Sequence, residues 1–290
     1  MIDVSPPTNF NTPQFRGWSK PGPIPPGACG HGPQVEAGET LDAISGYFRI
    51  FQLEKGHRFS TDDVLIASYG AQACPYARSV LDLGSGVGTV ATVAAWCLPA
   101  AQFVTVEAQR ESVRLAKKSV AWNGLGQRYT IREGDFRDEK ILASSEKFDL
   151  IFGSPPYFPL GSGAESEHPQ KLACRFELRG TVQDYCAVAA CHLAPAGVFA
   201  CVFPVEPVQQ YERVRMAARD AGLSILRWRP VVLREGADPL LGLFIMLREE
   251  DLPIENRSQT WKESPLCIRA KNGRVHPEYQ ALKLSFGFPP

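Results

Sequence analysis

The chain is predicted to be an α/β protein built on one open, mostly parallel sheet with helices on both faces. Three observations predict this. Strand-type and helical runs alternate five times and then give way to a strand pair, the pattern of a doubly wound sheet. A glycine-rich turn, Gly84-Ser85-Gly86-Val87-Gly88, joins a short apolar strand to an apolar helix. Polar or conformationally restricted residues recur where the strands end, on the edge where open α/β sheets bind ligands.

The bulk properties narrow the reading. With 290 residues and 44% hydrophobic content, the chain can bury a proper core. Lys+Arg and Asp+Glu both number 31, so a nucleic-acid partner must be held by local basic patches. No apolar run reaches about 18 residues, so no membrane span is expected. The N-terminus has no charged segment followed by an apolar one, so no secretory leader is expected. The eight cysteines are scattered, without Cys-x-x-Cys or histidines at ligand spacing. They read as core residues in a reduced, cytoplasmic setting, with no metal.

Residues 1–35 hold eight prolines and five glycines and are expected to be a disordered or extended tail. Residues 36–290 are expected to form a single domain. Ordered structure starts at Gly38–Asp42, and Tyr47–Gln52 is strand-like. Gly56–Asp63 leads into an apolar helix, Val64–Ala73, with Ser60 or Thr61 as N-cap and Asp62 and Asp63 at its positive end. Capping accounts for these residues; a helix start can equally hold a charged ligand.

Val80–Leu83 is the first core strand, and Gly84–Gly88 with helix Thr89–Leu98 completes a nucleotide-binding βα unit. The next strand, Gln102–Val106, ends at Glu107, placed to accept hydrogen bonds from two ribose hydroxyls. Gly86-x-Gly88-x-x-Ala91 also fits a dinucleotide fingerprint, so a nicotinamide enzyme stays open here. Arg110–Trp122 is amphipathic and stops at Asn123-Gly124. Strand Tyr129–Arg132 is followed by Gly134-Asp135-Phe136, where Asp135 can accept from an adenine amino group and Phe136 can pack on its ring. Alternatively, these are a turn Asp and a core Phe.

Strand Phe148–Gly153 runs into Ser154-Pro155-Pro156-Tyr157. Neither proline can donate to a sheet ladder, and each restricts the residue before it. The result is a stiff corner bearing a hydroxyl, carbonyls and an aromatic ring, suited to a flat molecule carrying an amino group. Gly161–His168 reads as a mobile loop. Thr181–His192 is helical, Gly197–Phe203 a strand, Val205–Ala221 a helix, and Leu223–Leu233 and Leu240–Leu247 an antiparallel strand pair. Pro253–Pro265 is a polar connection, and Leu266–Ala270 and Pro277–Leu284 close the chain as strand and helix.

Together the four strand ends resemble the class I S-adenosylmethionine (SAM)-dependent amino-methyltransferases, whose hallmark is Asp/Asn/Ser-Pro-Pro-Tyr/Phe. More closely, the chain resembles the tRNA adenine-N6 methyltransferase family that modifies the adenine beside the anticodon of a valine tRNA. The resemblance runs from about Thr40 to Leu282. It rests on His57-Arg58-Phe59-Ser60-Thr61-Asp62, Asp82–Gly88, Glu107, Asn123, Asp135, the Pro-Pro-Tyr-Phe run, Cys174-Arg175-Phe176-Glu177, and Ile268-Arg269 through Glu278-Tyr279.

The resemblance implies a Rossmann-like, seven-stranded sheet with a short N-terminal leader and a C-terminal strand–helix extension. It implies SAM as cofactor, held by Asp82, Gly84, Ser85, Gly86 and Gly88 on the methionine side, Glu107 at the ribose, and Asp135 and Phe136 at the adenine. Arg58, Phe59, Ser60 and Asp62 would close that site. Ser154, Pro155, Pro156 and Tyr157 would form the catalytic corner: Ser154 and the Pro155 carbonyl hold the target amine, and Tyr157 stacks on its base. The expected partner is RNA, a tRNA loop, docked through Lys171, Arg175, Arg179, Arg269, Lys271 and Arg274; each of these cations also fits a plain solvated surface.

One position departs from the family: Ser154 stands where relatives mostly carry Asn. Serine there is found in enzymes acting on the cytosine 4-amino group of DNA, so cytosine, an rRNA adenine or a protein glutamine stay open as targets. A catalytically inactive SAM-binding scaffold is the reading from another class.

Overall fold

In a computed structural model, residues 17–159, 161 and 168–290 are described. Glu39–Ser45 (β1) and Phe48–Leu53 (β2) form an antiparallel hairpin apart from the main sheet. Thr61–Ala73 (α1) follows, and Asp63 accepts the Ser60 backbone N–H to cap it. The core then alternates: Ser79–Leu83 (β3), Thr89–Cys97 (α2), Gln102–Glu107 (β4), Arg110–Trp122 (α3), Tyr129–Glu133 (β5) and Phe148–Gly153 (β6). Pro169–Arg175 (α4) and Val182–His192 (α5) precede Leu193–Pro204 (β7), Val208–Asp220 (α6), Leu223–Arg234 (β8) and Leu241–Arg248 (β9). Trp261–Lys262 (β10), Leu266–Arg269 (β11) and Pro277–Ser285 (α7) complete the chain.

The main sheet has the order β10-β8-β9-β7-β6-β3-β4-β5, with β11 also on β8. Strands β3 to β7 are mutually parallel, and β9 is antiparallel to both β7 and β8. The seven expected strands are therefore present, and β10 and β11 add two short ones along the free edge of β8. Strand order reverses at β3 and β6, and that reversal opens a crevice at their C-terminal ends.

Burial explains why the strands read as nearly unbroken apolar runs. In β7, Val198, Ala200 and Val202 enter one core, and Phe199, Cys201 and Phe203 enter the other. Successive side chains point to opposite faces, and both faces are covered by helices. Helix α1 sits unusually close to the sheet: a Cβ at Gly70 would come within 2.3 Å of the Phe152 ring. This proximity brings the start of α1 to the crevice.

Two expectations are corrected. The described part of the tail, residues 17–35, is not disordered. Pro26–Cys29 forms a 3-10 turn on α3 with Gly27 pressed on Trp122, and Gly22 lies against Trp96. Prolines lower the entropy cost of ordering such a segment, and two indole faces supply the apolar surface. Residues 1–16 lie outside the described residues, as does the predicted mobile loop apart from Gly161 and His168. Second, the leader is a full hairpin rather than a single strand. Buried Gln52 holds it to the loop before α1, donating to Asp42 and accepting from the Phe59 N–H. Helix α4 carries no signal in the sequence pattern. Among the described residues, no helix is long and apolar enough to cross a membrane.

Candidate active site

A cavity of about 400 Å³ lies over the C-terminal ends of β3, β4 and β6. The glycine turn after β3 makes one wall. Gly84, Gly86 and Gly88 all have positive φ, which only glycine adopts without strain. Gly84 has a second reason to be glycine, since a Cβ there would come 2.1 Å from the Tyr185 hydroxyl. At Gly86 a Cβ would meet nothing within 4 Å, so the backbone is bare toward the cavity. Ser85 Oγ is buried without a hydrogen-bond partner, poised for a ligand.

Glu107 ends β4, and backbone amides orient its carboxylate: the Gly86 N–H donates to one oxygen at 2.8 Å and the Gln109 N–H to the other at 2.6 Å. Burial nevertheless raises its pKa above the usual carboxylate range. Asp82 is buried and accepts from the Ala91 N–H at 3.2 Å; burial pushes its pKa well up. Asp63, at the start of α1, is pushed up to about 7 by burial and then by the neighbouring Asp62 charge. The cavity is thus lined by five carboxylates, Asp62, Asp63, Asp82, Glu107 and Asp135, of which Asp63, Asp82 and Glu107 resist ionisation. A cationic ligand relieves that repulsion.

The proline corner makes the opposite wall. Pro155 and Pro156 are buried, and Ser154 and Tyr157 are half-buried. The Tyr157 ring packs edge-on against Phe203, with centroids 5.8 Å apart at 86°. Its hydroxyl donates to Asp62 Oδ2 at 2.5 Å. The phenol's pKa is raised well above normal by burial and then by Asp62. The proline corner and the start of α1 are therefore tied together across the cavity.

Most of the sequence-predicted site residues converge on this cavity: Phe59, Ser60, Asp62, Asp82, Gly84, Ser85, Gly86, Glu107, Asp135, Phe136 and Ser154 through Tyr157. Two do not line it. Arg58 turns away to the hairpin, where it pairs with Asp42 at 2.8 Å and donates to Thr40 Oγ1 at 2.9 Å. Gly88 is the N-cap of α2, beneath the cavity floor. Asp135 lines the cavity, but it is not the free acceptor the sequence predicts. Arg137 grips its carboxylate through the backbone N–H, Nε and Nη2, and this holds the Asp135 pKa below the usual range.

Several lining residues carry no local signal. Tyr185, on α5, is wedged against Gly84 and Gly153 and meets Phe136 edge-on at 4.7 Å. Gln109 bonds Cys174 Sγ at 3.4 Å. Burial lowers the His57 pKa, and its backbone N–H donates to Gln170, which is itself anchored on Ser112 of α3. Only the His57–Asp62 block could have pointed to His57. Among the described residues, no group of three or more His, Cys, Asp or Glu is placed to hold a metal.

Comparison with known proteins agrees with this geometry. Residues 61–173 match the family model described as methyltransferase small domain. The tRNA1(Val) (adenine(37)-N6)-methyltransferase of Tolumonas auensis is 28% identical over 82% of this chain and 93% of its own length. The protein of that name from Porphyromonas gingivalis is 27% identical over 82% and 92%, and that from Shewanella amazonensis 28% over 82% and 97%. Among solved structures, a predicted O-methyltransferase from Agrobacterium tumefaciens superposes with a TM-score of 0.58 at 17% identity, covering 78% of this chain and 97% of that one. A SAM-dependent methyltransferase from the same organism gives 0.51 at 16% identity, covering 74% and 72%. The chain has a class I methyltransferase fold, and residues 61–173 of it are similar to the methyltransferase small domain.

Proposed function

We propose that this SAM-dependent N-methyltransferase transfers a methyl group to the 6-amino group of an adenine in tRNA. The observation that carries the reading is the meeting of the glycine turn, Glu107 and the Ser154–Tyr157 corner on one cavity. Relatives named for that reaction, similar over most of both chains, support the choice of base and RNA.

The residues present fit SAM. It is a sulfonium and ammonium cation, and five carboxylates line the cavity. It carries a ribose diol, and Glu107 is fixed by two amides with lone pairs to spare. The bare backbone at Gly86 and the partnerless Ser85 hydroxyl suit its polar chain. When bound, SAM supplies an electrophilic methyl group. Phe136 and Tyr185 would form the apolar side of the adenine pocket, and the Asp135–Arg137 pair its polar rim.

The chain's own residues would act on the target base. An exocyclic amine is a poor nucleophile because its lone pair is delocalised into the ring. Ser154 and a proline-corner carbonyl accept its N–H bonds, orient the lone pair and stabilise the positive charge that develops on nitrogen. Each such bond to a charged group contributes roughly 1.5–3 kcal/mol. Serine can donate as well as accept, and the neighbouring phenol would give its proton an acceptor. The Tyr157 hydroxyl donates to Asp62, so its oxygen is left to accept, and a Ser154 hydroxyl turned toward it would leave serine lone pairs for the amine. Ser154 would thereby serve where an asparagine carbonyl serves in relatives. The Tyr157 face would stack on the base, worth about 1–3 kcal/mol. A loop base enters this site at little unstacking cost.

Nucleoside mass spectrometry of total tRNA, with and without the gene, tests the reading. N6-methyladenosine should be present with the gene and absent without it. Loss of a methylated cytosine instead would overturn the choice of base.

A further inference from the structure

We infer that the outer corner of the catalytic edge, where β8 and β11 end, is a docking surface for the RNA backbone at a distance from the target base. The inference rests on the reading of an RNA substrate. It starts from topology. Strand β11 is parallel to β8, and β8 runs in the same sense as β7 and β6. The ends of β8 and β11 therefore open onto the same edge as Ser154–Tyr157.

Four cations collect there. Arg234 and Arg269 are register partners at the ends of the two strands, and Lys271 and Arg274 lie in the turn that follows. All four are exposed, and no ion pair holds any of them among the described residues. Other surface cations are held in ion pairs, as Arg215 is by Glu212, Arg219 by Asp220 and Arg248 by Asp251. Two carboxylates share the corner. Glu235 accepts the Lys271 backbone N–H, and Asp238 is exposed in the β8–β9 turn. Glu278 is bound by Arg229. The local balance remains positive in a chain whose net charge is zero.

The exposed apolar side chains point the same way. Leu233, Leu240 and Val275 are 59%, 57% and 39% exposed beside these cations. A solvated charged face has no use for them, whereas a surface that meets both phosphates and unstacked bases does. The span is also set. From β6 the sheet crosses β7, β9 and β8 to reach β11, four spacings or roughly 19 Å. That distance covers several nucleotides. An isolated nucleotide cannot reach the basic corner from the target site, but an RNA of several nucleotides can. The contacts are to phosphate and would set affinity and register, not the base methylated.

The test uses full-length protein and tRNA purified from cells lacking the gene. The triple variant R269A/K271A/R274A should raise KM for this tRNA at least tenfold with kcat within twofold. Its salt dependence of binding should be shallower by roughly two log units per log unit of salt, about 0.7 for each phosphate left unneutralised. SAM affinity should be unchanged in both the triple variant and R234A. The control R78A/R215A/R219A, on the opposite edge and on α6, should behave as wild type. A triple variant matching wild type in KM and salt slope overturns the docking surface, while wild-type turnover leaves the substrate reading intact. Failure of wild-type protein to methylate any RNA overturns the substrate reading, whatever the variant binds.

Discussion

The two walls of the crevice hold their groups in place by different means. The glycine-turn wall buries Asp82 and Glu107 and holds them by backbone amides. The proline wall carries no formal charge; two buried prolines and a phenol–carboxylate hydrogen bond to Asp62 position it. The first wall is thus a matter of electrostatics and the second of stiffness. The difference teaches that the walls can fail separately. Losing a carboxylate should cost affinity for a cation, whereas loosening the corner should cost rate without affinity.

The largest effect that separates the walls is expected from Glu107→Ala, which also leaves the Gly86 and Gln109 amides unpaired. SAM affinity by calorimetry should fall at least 100-fold. Tyr157→Ala should lower kcat by a similar factor while SAM affinity stays within about threefold; an equal loss of both would erase the distinction between the walls.

A smaller effect follows from Asp63, whose pKa is pushed up to about 7 in the fold. The unfolded carboxyl ionises near pH 4, so between about 4 and 7 the folded chain keeps a proton that the unfolded chain loses. Stability from this group is full below pH 4 and declines as pH rises toward 7. Thermal melts of Asp63→Asn should lose less on going from pH 5 to pH 8 than those of wild type. A bound cation pulls the same pKa down, so SAM affinity should strengthen from pH 6 to pH 8. S-adenosylhomocysteine, lacking the sulfonium charge, should show a shallower change. The smallest effect belongs to Arg58→Ala. Its half-exposed ion pair with Asp42 is worth about 0.5–1 kcal/mol, so the melting point should slip slightly with SAM affinity unchanged.

The core strands, their parallel order and the motifs at their ends are legible in the sequence because most strands carry an apolar run and each motif stands directly after a strand. Features that depend on pairing across the chain are not. Nothing near Arg58 shows that Asp42, on the hairpin, will draw it from the cavity. Tyr185 reads as an ordinary helix aromatic until the fold sets it on Gly84 and Gly153. The proline-rich stretch before Glu36 reads as disordered because composition counts turn-formers. It cannot see that Trp96 and Trp122, far along the chain, offer surfaces for Gly22 and Gly27.

Strand β8, twelve residues long, lies at the rim of the main sheet, and β10 and β11 together cover much of its outer edge. An uncovered strand of that length is a template for pairing with other chains. The same short segment that brings Arg269 to the catalytic edge therefore also guards against aggregation. Evolution of the RNA-facing turn is tethered to colloidal behaviour: substitutions that unseat β11 would expose a sticky rim before they altered chemistry. A variant lost to precipitation in such a screen would be reporting on the sheet's border, not on methyl transfer.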